Sequence, residues 1–358
     1  MQNNQAIPFN KENFKQILSK EFALVIIISI PSAVVAEYFN VPLAWFLGPM
    51  LITSIASLTG FKTKMPRLIL SAVLIFLGLY IGNYIDKTLF SQIQQWAWTS
   101  LIMLVYIIVS VLLVSKYLQK FSNYDKKTSI FSAAPGALGP LMILAEDEKS
   151  DLSQVATSHL IRLIIIITVF PFIVNSLYDV GGVETIKEVA ENQNIFHLLI
   201  LMTMSIFLII IFDKLRVPAA LLTGTLVASG FLQITEIATY KLPPNVIDYC
   251  LLVLGSSVGC RFADKSFFEI ARNALHSFVA TFMLVILGLL AAYIAGLVID
   301  KNFFTLLLSF CPGGIYEVAV IAIFFDLDPE FVAFHHIIRL LMILFIVPVI
   351  LKIIEKKA

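Results

Sequence analysis

The segment SFCPGGIYEVAVIAIFFDLDPEFVAFHHIIRLLMILFIVPVI, Ser309 to Ile350, is mostly apolar, yet it holds Pro-Gly-Gly, a glutamate, two histidines and an arginine. Helix breakers and charges are costly in a lipid-soluble stretch, so their presence asks for a reason. A second stretch, SAAPGALGPLMILAEDEKSDLSQVATSHLIRLIIIITVFPFIV, Ser132 to Val174, carries the same pattern. Pro135, Gly136, Ala145, Asp151, Val155, Ala156, Arg162 and Pro171 recur 177 positions later as Pro312, Gly313, Ala322, Asp328, Val332, Ala333, Arg339 and Pro348. The chain is built as a doubled unit.

The repeat extends through most of the sequence. NVPLAWFLGPML, Asn40 to Leu51, matches RVPAALLTGTLV, Arg216 to Val227; LGLYIG from Leu77 matches LGSSVG from Leu254; DKTLF from Asp86 matches DKSFF from Asp264. One repeat therefore covers residues 1–190 and the other 191–358.

Of the 358 residues, 59% are hydrophobic and 14% charged, against about 25% charged in an average soluble chain. Apolar runs such as Phe22 to Val35, Thr99 to Val114 and Phe278 to Ile299 approach or reach the length a bilayer asks of a helix. The expected class is an all-α integral membrane protein. The net charge of +1, with no basic stripe or zinc spacing, leaves no case for a nucleic-acid partner. The three cysteines, Cys250, Cys260 and Cys311, lie in apolar segments and read as small buried packers. The polar first 20 residues are followed by a long apolar run without a small-residue cleavage site, which reads as a first span and not a removed signal peptide.

Each repeat divides into six apolar segments: 19–38, 43–60, 68–84, 96–115, 128–145 and 154–176, then 194–212, 217–233, 246–261, 274–298, 303–325 and 331–352. The fifth of each set is interrupted, by Pro135-Gly136 and by Pro312-Gly313-Gly314. If the fifth segment returns to its own side, 19 basic residues share one face and 4 the other; if it spans, the split falls to 16 against 7. The first arrangement obeys the positive-inside rule better. It predicts about ten transmembrane helices and two Pro-Gly-broken or re-entrant segments. Five crossings per repeat make the second repeat upside down relative to the first, an inverted-topology pair with both termini cytoplasmic.

The candidate binding residues lie at the breaks and just after them. Proline withholds a donor and glycine permits unusual dihedrals, so half-helices that start at Pro135-Gly136 and at Pro312-Gly313-Gly314 would point bare N–H groups inward; a packing kink is the plainer reading. Arg162 and Arg339 would bind a carboxylate or neutralise Glu317, or else snorkel to the interface. His159 precedes Arg162 by three residues, and His335 and His336 precede Arg339 by four and three, so they are expected on its helix face as proton relays or as polar packers. Glu317 follows Pro312 by five residues as a lone intramembrane carboxylate, whereas the first repeat has Gly139 and Pro140 there. The G-x-x-x-G pairs Gly78/Gly82 and Gly255/Gly259 predict close helix packing, Ser256 and Ser257 beside them could line a cavity, and Asp86 and Asp264 read as interface charges.

With A-P-G-A at Ala134–Ala137, C-P-G-G-I-Y-E-V at Cys311–Val318, S-H-L-I-R ending at Arg162 and H-H-I-I-R ending at Arg339, the chain resembles the AbrB membrane family, which is also labelled as an ammonia monooxygenase and is distinct from the small DNA-binding regulator of the same name. That family carries P-G-G-x-x-E-M in each half; here Val318 replaces the methionine and the first half lacks the glutamate. The resemblance implies a fold similar to cation/proton antiporters and bile-acid symporters, with inverted repeats and broken helices.

The expected function is a secondary transporter of a small anionic organic solute across the plasma membrane, coupled to H+ or Na+, with no other cofactor and no metal, and not an enzyme. The expected partners are the lipid bilayer and the solute, with a homodimer as the assembly considered. The alternatives are a membrane-bound monooxygenase and a non-transporting membrane protein that affects gene expression indirectly; the oxygenase would need copper or iron, for which the sequence offers no ligand cluster. In a cysteine-free background, an external thiol reagent should label Gly182→Cys and spare Ser150→Cys; the reverse pattern would contradict the N-in, C-in topology.

Overall fold

The computed structural model describes residues 11–355 except 86, 88, 137, 178–194, 239, 241, 264 and 266. Asp86, Asp264, most of the 177–194 connection and the boundary between the two repeats lie outside the described residues. Among the described residues the chain forms fifteen α-helices. In the first half these are α1 (Lys11–Ile17), α2 (Lys20–Tyr38), α3 (Ala44–Leu58), α4 (Arg67–Gly82), α5 (Leu89–Phe121), α6 (Lys126–Ala133), α7 (Leu138–Asp147) and α8 (Leu152–Leu177). In the second half they are α9 (Ile195–Lys214), α10 (Ala220–Ile234), α11 (Pro244–Cys260), α12 (Phe267–Gly296), α13 (Phe303–Phe310), α14 (Ile315–Phe324) and α15 (Pro329–Glu355).

Among the described residues, six helices are long and apolar enough to cross a membrane: α2, α8, α9, and the stretches Trp96–Phe121 of α5, Ile270–Gly296 of α12 and Pro329–Ile354 of α15. Their lipid-soluble faces are evident in exposed side chains such as Ile27, Phe207, Phe282 and Phe345. The chain is a helical membrane protein. The helices α3, α4, α10 and α11 have 15–17 residues, about 23–26 Å at 1.5 Å per residue. That is shorter than the about 30 Å of a hydrocarbon core.

The compact units cut across the two sequence halves. Unit one takes residues 1–89, 175–265 and 323–325; unit two takes 90–174, 266–322 and 326–358. Each unit thus draws matching pieces from both repeats.

In unit one, α3 packs on α11 and α4 on α10, so each helix of one half lies against its partner's counterpart from the other half. The predicted glycine pairs make these contacts. A Cβ on Gly78 would sit 2.7 Å from the Leu222 carbonyl, and one on Gly82 would sit 2.9 Å from that of Leu226. On α11, Gly255 lies against the Phe46 carbonyl and Gly259 against Thr53. Any side chain there would push the backbones apart, which is why small residues mark close helix pairs in membranes. The contacts are reinforced by hydroxyls that donate across the pair, Ser57 to the Gly259 carbonyl at 3.0 Å and Ser229 to the Leu79 carbonyl at 3.0 Å. Ser256 is buried and donates to Ser29 at 2.8 Å.

In unit two, Val114 and Leu118 of α5, Ala133 of α6 and Ala280 and Leu284 of α12 form one buried cluster with Tyr124. α5 extends past the predicted span 96–115 at both ends, and α12 begins before the predicted 274–298 and ends at Gly296. Pro171 and Pro348 lie inside α8 and α15 at matching positions of the repeat.

Candidate functional site

The fifth segment of each repeat is a hairpin of two half-helices. Asp125 caps α6 by accepting from Thr128 N at 2.9 Å, and the helix runs to Ala133. The chain turns at Ala134-Pro135-Gly136, where Gly136 has φ +101°, a conformation that favours glycine. It returns as α7. The ends of this excursion lie side by side: Asp151 N donates to Thr128 Oγ1 at 2.9 Å, and Lys127 Nζ meets Glu148 Oε2 at 2.6 Å. The second repeat does the same. Asn302 caps α13, Pro312-Gly313-Gly314 turns the chain, and α14 comes back. There Thr305 Oγ1 donates to Asp328 Oδ2 at 3.3 Å and Lys301 Nζ to Asp328 Oδ1 at 3.1 Å. The segments anticipated as broken or re-entrant are therefore closed loops with adjacent ends.

A half-helix that stops inside apolar surroundings leaves carbonyl oxygens without donors. In both hairpins these oxygens are met by the arginine and histidine of the next helix. From α8, His159 Nε2 donates to Phe131 O at 3.0 Å, Arg162 Nη1 to Ala134 O at 2.5 Å and Arg162 Nη2 to Ser132 O at 2.5 Å. From α15, His336 Nε2 donates to Leu308 O at 3.0 Å, Arg339 Nη1 to Cys311 O, and Arg339 Nη2 to Gly313 O at 2.6 Å. The cations also complement the negative ends of α6 and α13. Arg162 and Arg339 are each 2% exposed, so both are internal braces and neither snorkels.

The pattern settles a tautomer. Arg339 Nη2 also lies 2.9 Å from His336 Nδ1. A guanidinium only donates and a carbonyl only accepts, so His336 is neutral, with its proton on Nε2.

The two tips meet. A Cβ on Gly136 would lie 2.9 Å from Arg339 Nη2 and 3.2 Å from the Gly313 carbonyl. Tyr106 of α5 is within electrostatic reach of both guanidinium groups, and its ring stands edge-on to Phe310 at 6.1 Å. Glu317, 1% exposed, lies in the first turn of α14 with its carboxylate folded back over Gly314, where a Cβ would collide with it. It thus faces the positive end of its own half-helix. The structure gathers Pro135, Gly136, Arg162, Pro312, Gly313, Gly314, Glu317, His336 and Arg339 around the crossed tips.

His335 does not join them. Its Nδ1 faces Phe331 O at 2.9 Å and its Nε2 Thr99 Oγ1 at 2.7 Å, and it packs among Phe331, Phe334, Phe310 and Trp96. Adjacent residues on a helix point about 100° apart, so His335 and His336 fall on either side of Arg339, and His336 is the one that meets its guanidinium. Sequence reasoning missed Tyr106, a lone tyrosine in an apolar span. It also missed the Thr128/Asp151 and Thr305/Asp328 clamps, although both pairs keep the 177-residue spacing.

Long apolar helices and two hairpins whose tips meet define a helical membrane protein with an internal polar site. The chain belongs to the AbrB family: the family model described as "Transition state regulatory protein AbrB" matches residues 2–89 and 45–355. It is similar to the "Putative regulator AbrB" of Escherichia coli (strain K12), 24% identical over 329 residues that span 89% of this chain and 92% of that one. It is also similar to the "Uncharacterized protein YhjN" of Bacillus subtilis (strain 168), 22% identical over 289 residues, 76% of this chain and 75% of the other. No solved structure matches the chain.

If the arginines brace the hairpins, lysine cannot replace them, because one ammonium cannot reproduce the planar fork that reaches two carbonyls. Arg162→Lys and Arg339→Lys should each lower stability by about 1–3 kcal/mol, the usual cost of stranding a buried acceptor. Thermal unfolding of the purified variants in detergent measures this; melting temperatures equal to the parent's would refute the brace.

Proposed function

We propose that the protein is a secondary transporter that moves a small organic anion across the plasma membrane, coupled to H+ or Na+. The observation that carries this reading is the meeting of two hairpin tips beside a buried carboxylate. Irregular backbone at membrane depth is tolerated where it is packed in protein or lines a cavity, and paired broken segments from inverted repeats place substrate and ion sites near the midplane of carriers. A hairpin with adjacent ends enters and leaves on one face. This leaves five crossings per repeat and supports the inverted topology, with the amino and carboxyl termini in the cytoplasm.

The two tips divide the work. At α14 the positive helix end already holds the Glu317 carboxylate, a group suited to a proton or a sodium ion. At α7 the repeat has Pro140 where Glu317 would be, and a Cβ on the adjacent Gly139 would meet open space. That helix end has room for a carboxylate supplied by the solute. The arginines hold the tips in place and set the local positive potential. A regulatory effect of the kind named in the family description would follow indirectly from movement of the solute.

The test is a panel of mono- and dicarboxylates applied to proteoliposomes on a solid-supported membrane. At least one should evoke a current that depends on the pH or sodium gradient. Glu317→Gln should abolish that dependence while the same solute still raises the melting temperature of the variant. Parent-like coupling in Glu317→Gln would remove the assigned role. Stoichiometric copper or iron in the purified protein, with no current from any carboxylate, would favour an oxygenase instead.

A further inference from the structure

Unit one holds a cavity of about 870 Å³ between α1, the α3–α4 connection and the end of α11. Among the described residues its lining includes Lys15, Lys62, Lys64 and Arg261 and the carboxylate Glu21. The wall is built: Thr63 is 5% exposed and shares a 2.5 Å hydrogen bond with Ser57, which in turn donates to the Gly259 carbonyl. The connection carrying Lys62 and Lys64 is thereby tied to the helix end carrying Arg261. Four cations around one walled opening hold a positive potential, strongest where the low-dielectric wall focuses it.

The repeat accounts for only part of this charge. The positions 177 residues from Lys62 and Arg261 are Thr239 and Tyr84, whereas Lys64 is matched by Lys241. A general preference for basic loops on one side accounts for lysines scattered along those loops; it does not account for their convergence on one polar cavity. The neighbours of the lining residues are apolar and uncovered: Phe14 is 53% exposed, Leu18 89% and Phe61 57%. Cations lining the cavity, with exposed apolar residues next to them in the chain, match a ligand with an anionic head and hydrocarbon tails.

We infer that this cavity is a binding site for an anionic phospholipid, with the headgroup phosphate among Lys15, Lys62, Lys64 and Arg261 and the acyl chains along Phe14, Leu18 and Phe61. The site is separate from the crossed hairpins and does not depend on the transport reading. It ties α1 and the α3–α4 connection to the membrane surface on the face where the sequence places most of its positive charge.

Delipidated protein in detergent provides the test, with phosphatidylglycerol, phosphatidylcholine and inorganic phosphate as probes and the melting temperature as readout. Phosphatidylglycerol should raise it by several degrees, and the other two should not. The Lys62→Gln/Arg261→Gln variant should lose that increment and keep the parent's helical circular dichroism. Arg261→Lys, which retains the charge, should keep most of it, and Lys62→Gln alone should lose part of it if the double variant does not fold. An increment unchanged in the glutamine variants overturns the site. An equal increment from inorganic phosphate overturns the lipid as its occupant, and no increment from any probe overturns both.

Discussion

A carbonyl oxygen at the end of a helix buried away from water must accept a hydrogen bond from some donor, and in this protein that requirement shapes the core of unit two. Each hairpin stops a helix inside unit two and strands its last carbonyls. A single arginine with a nearby histidine satisfies three of them at once, at both sites and with the same 28-residue separations for His159–Phe131, Arg162–Ala134, His336–Leu308 and Arg339–Cys311. Burying a guanidinium is expensive in isolation. Here its charge sits at the negative end of a half-helix and its hydrogens meet fixed acceptors, so the cost of the charge and the cost of the carbonyls offset each other. Neither the hairpin nor the arginine is stable in that environment alone.

The brace gives the two tips a defined position, and the tips differ. Arg339 reaches the turn itself through the Gly313 carbonyl and orients His336, whereas Arg162 takes its second carbonyl one turn earlier, from Ser132, and its Nε is buried without a hydrogen-bond partner among the described residues. Glu317 is present in one hairpin only. The duplicated scaffold thus carries one acidic tip and one without the glutamate in an otherwise nearly symmetric framework. In unit one the same duplication serves packing, as the glycine pairs of α4 and α11 seat those helices against α10 and α3.

Much of this was legible in the sequence because it rests on residue types that membranes penalise. Proline-glycine breaks, lone arginines and a lone glutamate stand out against an apolar background, and the 177-residue spacing shows that they come in pairs. The pairing of helices from opposite halves was not legible, since a repeat says which segments are alike and not which ones touch. The partners of Arg162 and Arg339 were hidden for a related reason: they are backbone oxygens, which every residue carries and no residue name announces. Helical spacing likewise grouped His335 with Arg339, whereas its ring turns to the other side of the arginine, toward Thr99 and an aromatic cluster.

The central claim is that each broken segment folds back on itself. Spin labels at Lys127→Cys and Glu148→Cys, in protein lacking Cys250, Cys260 and Cys311 and reconstituted in bilayers, test it directly. The two labels flank α6 and α7, and the account predicts a short interspin distance with strong dipolar broadening. A separation near the about 30 Å thickness of the hydrocarbon core would mean that the segment spans the membrane, and the hairpin, its brace and the crossed tips would all fall with it.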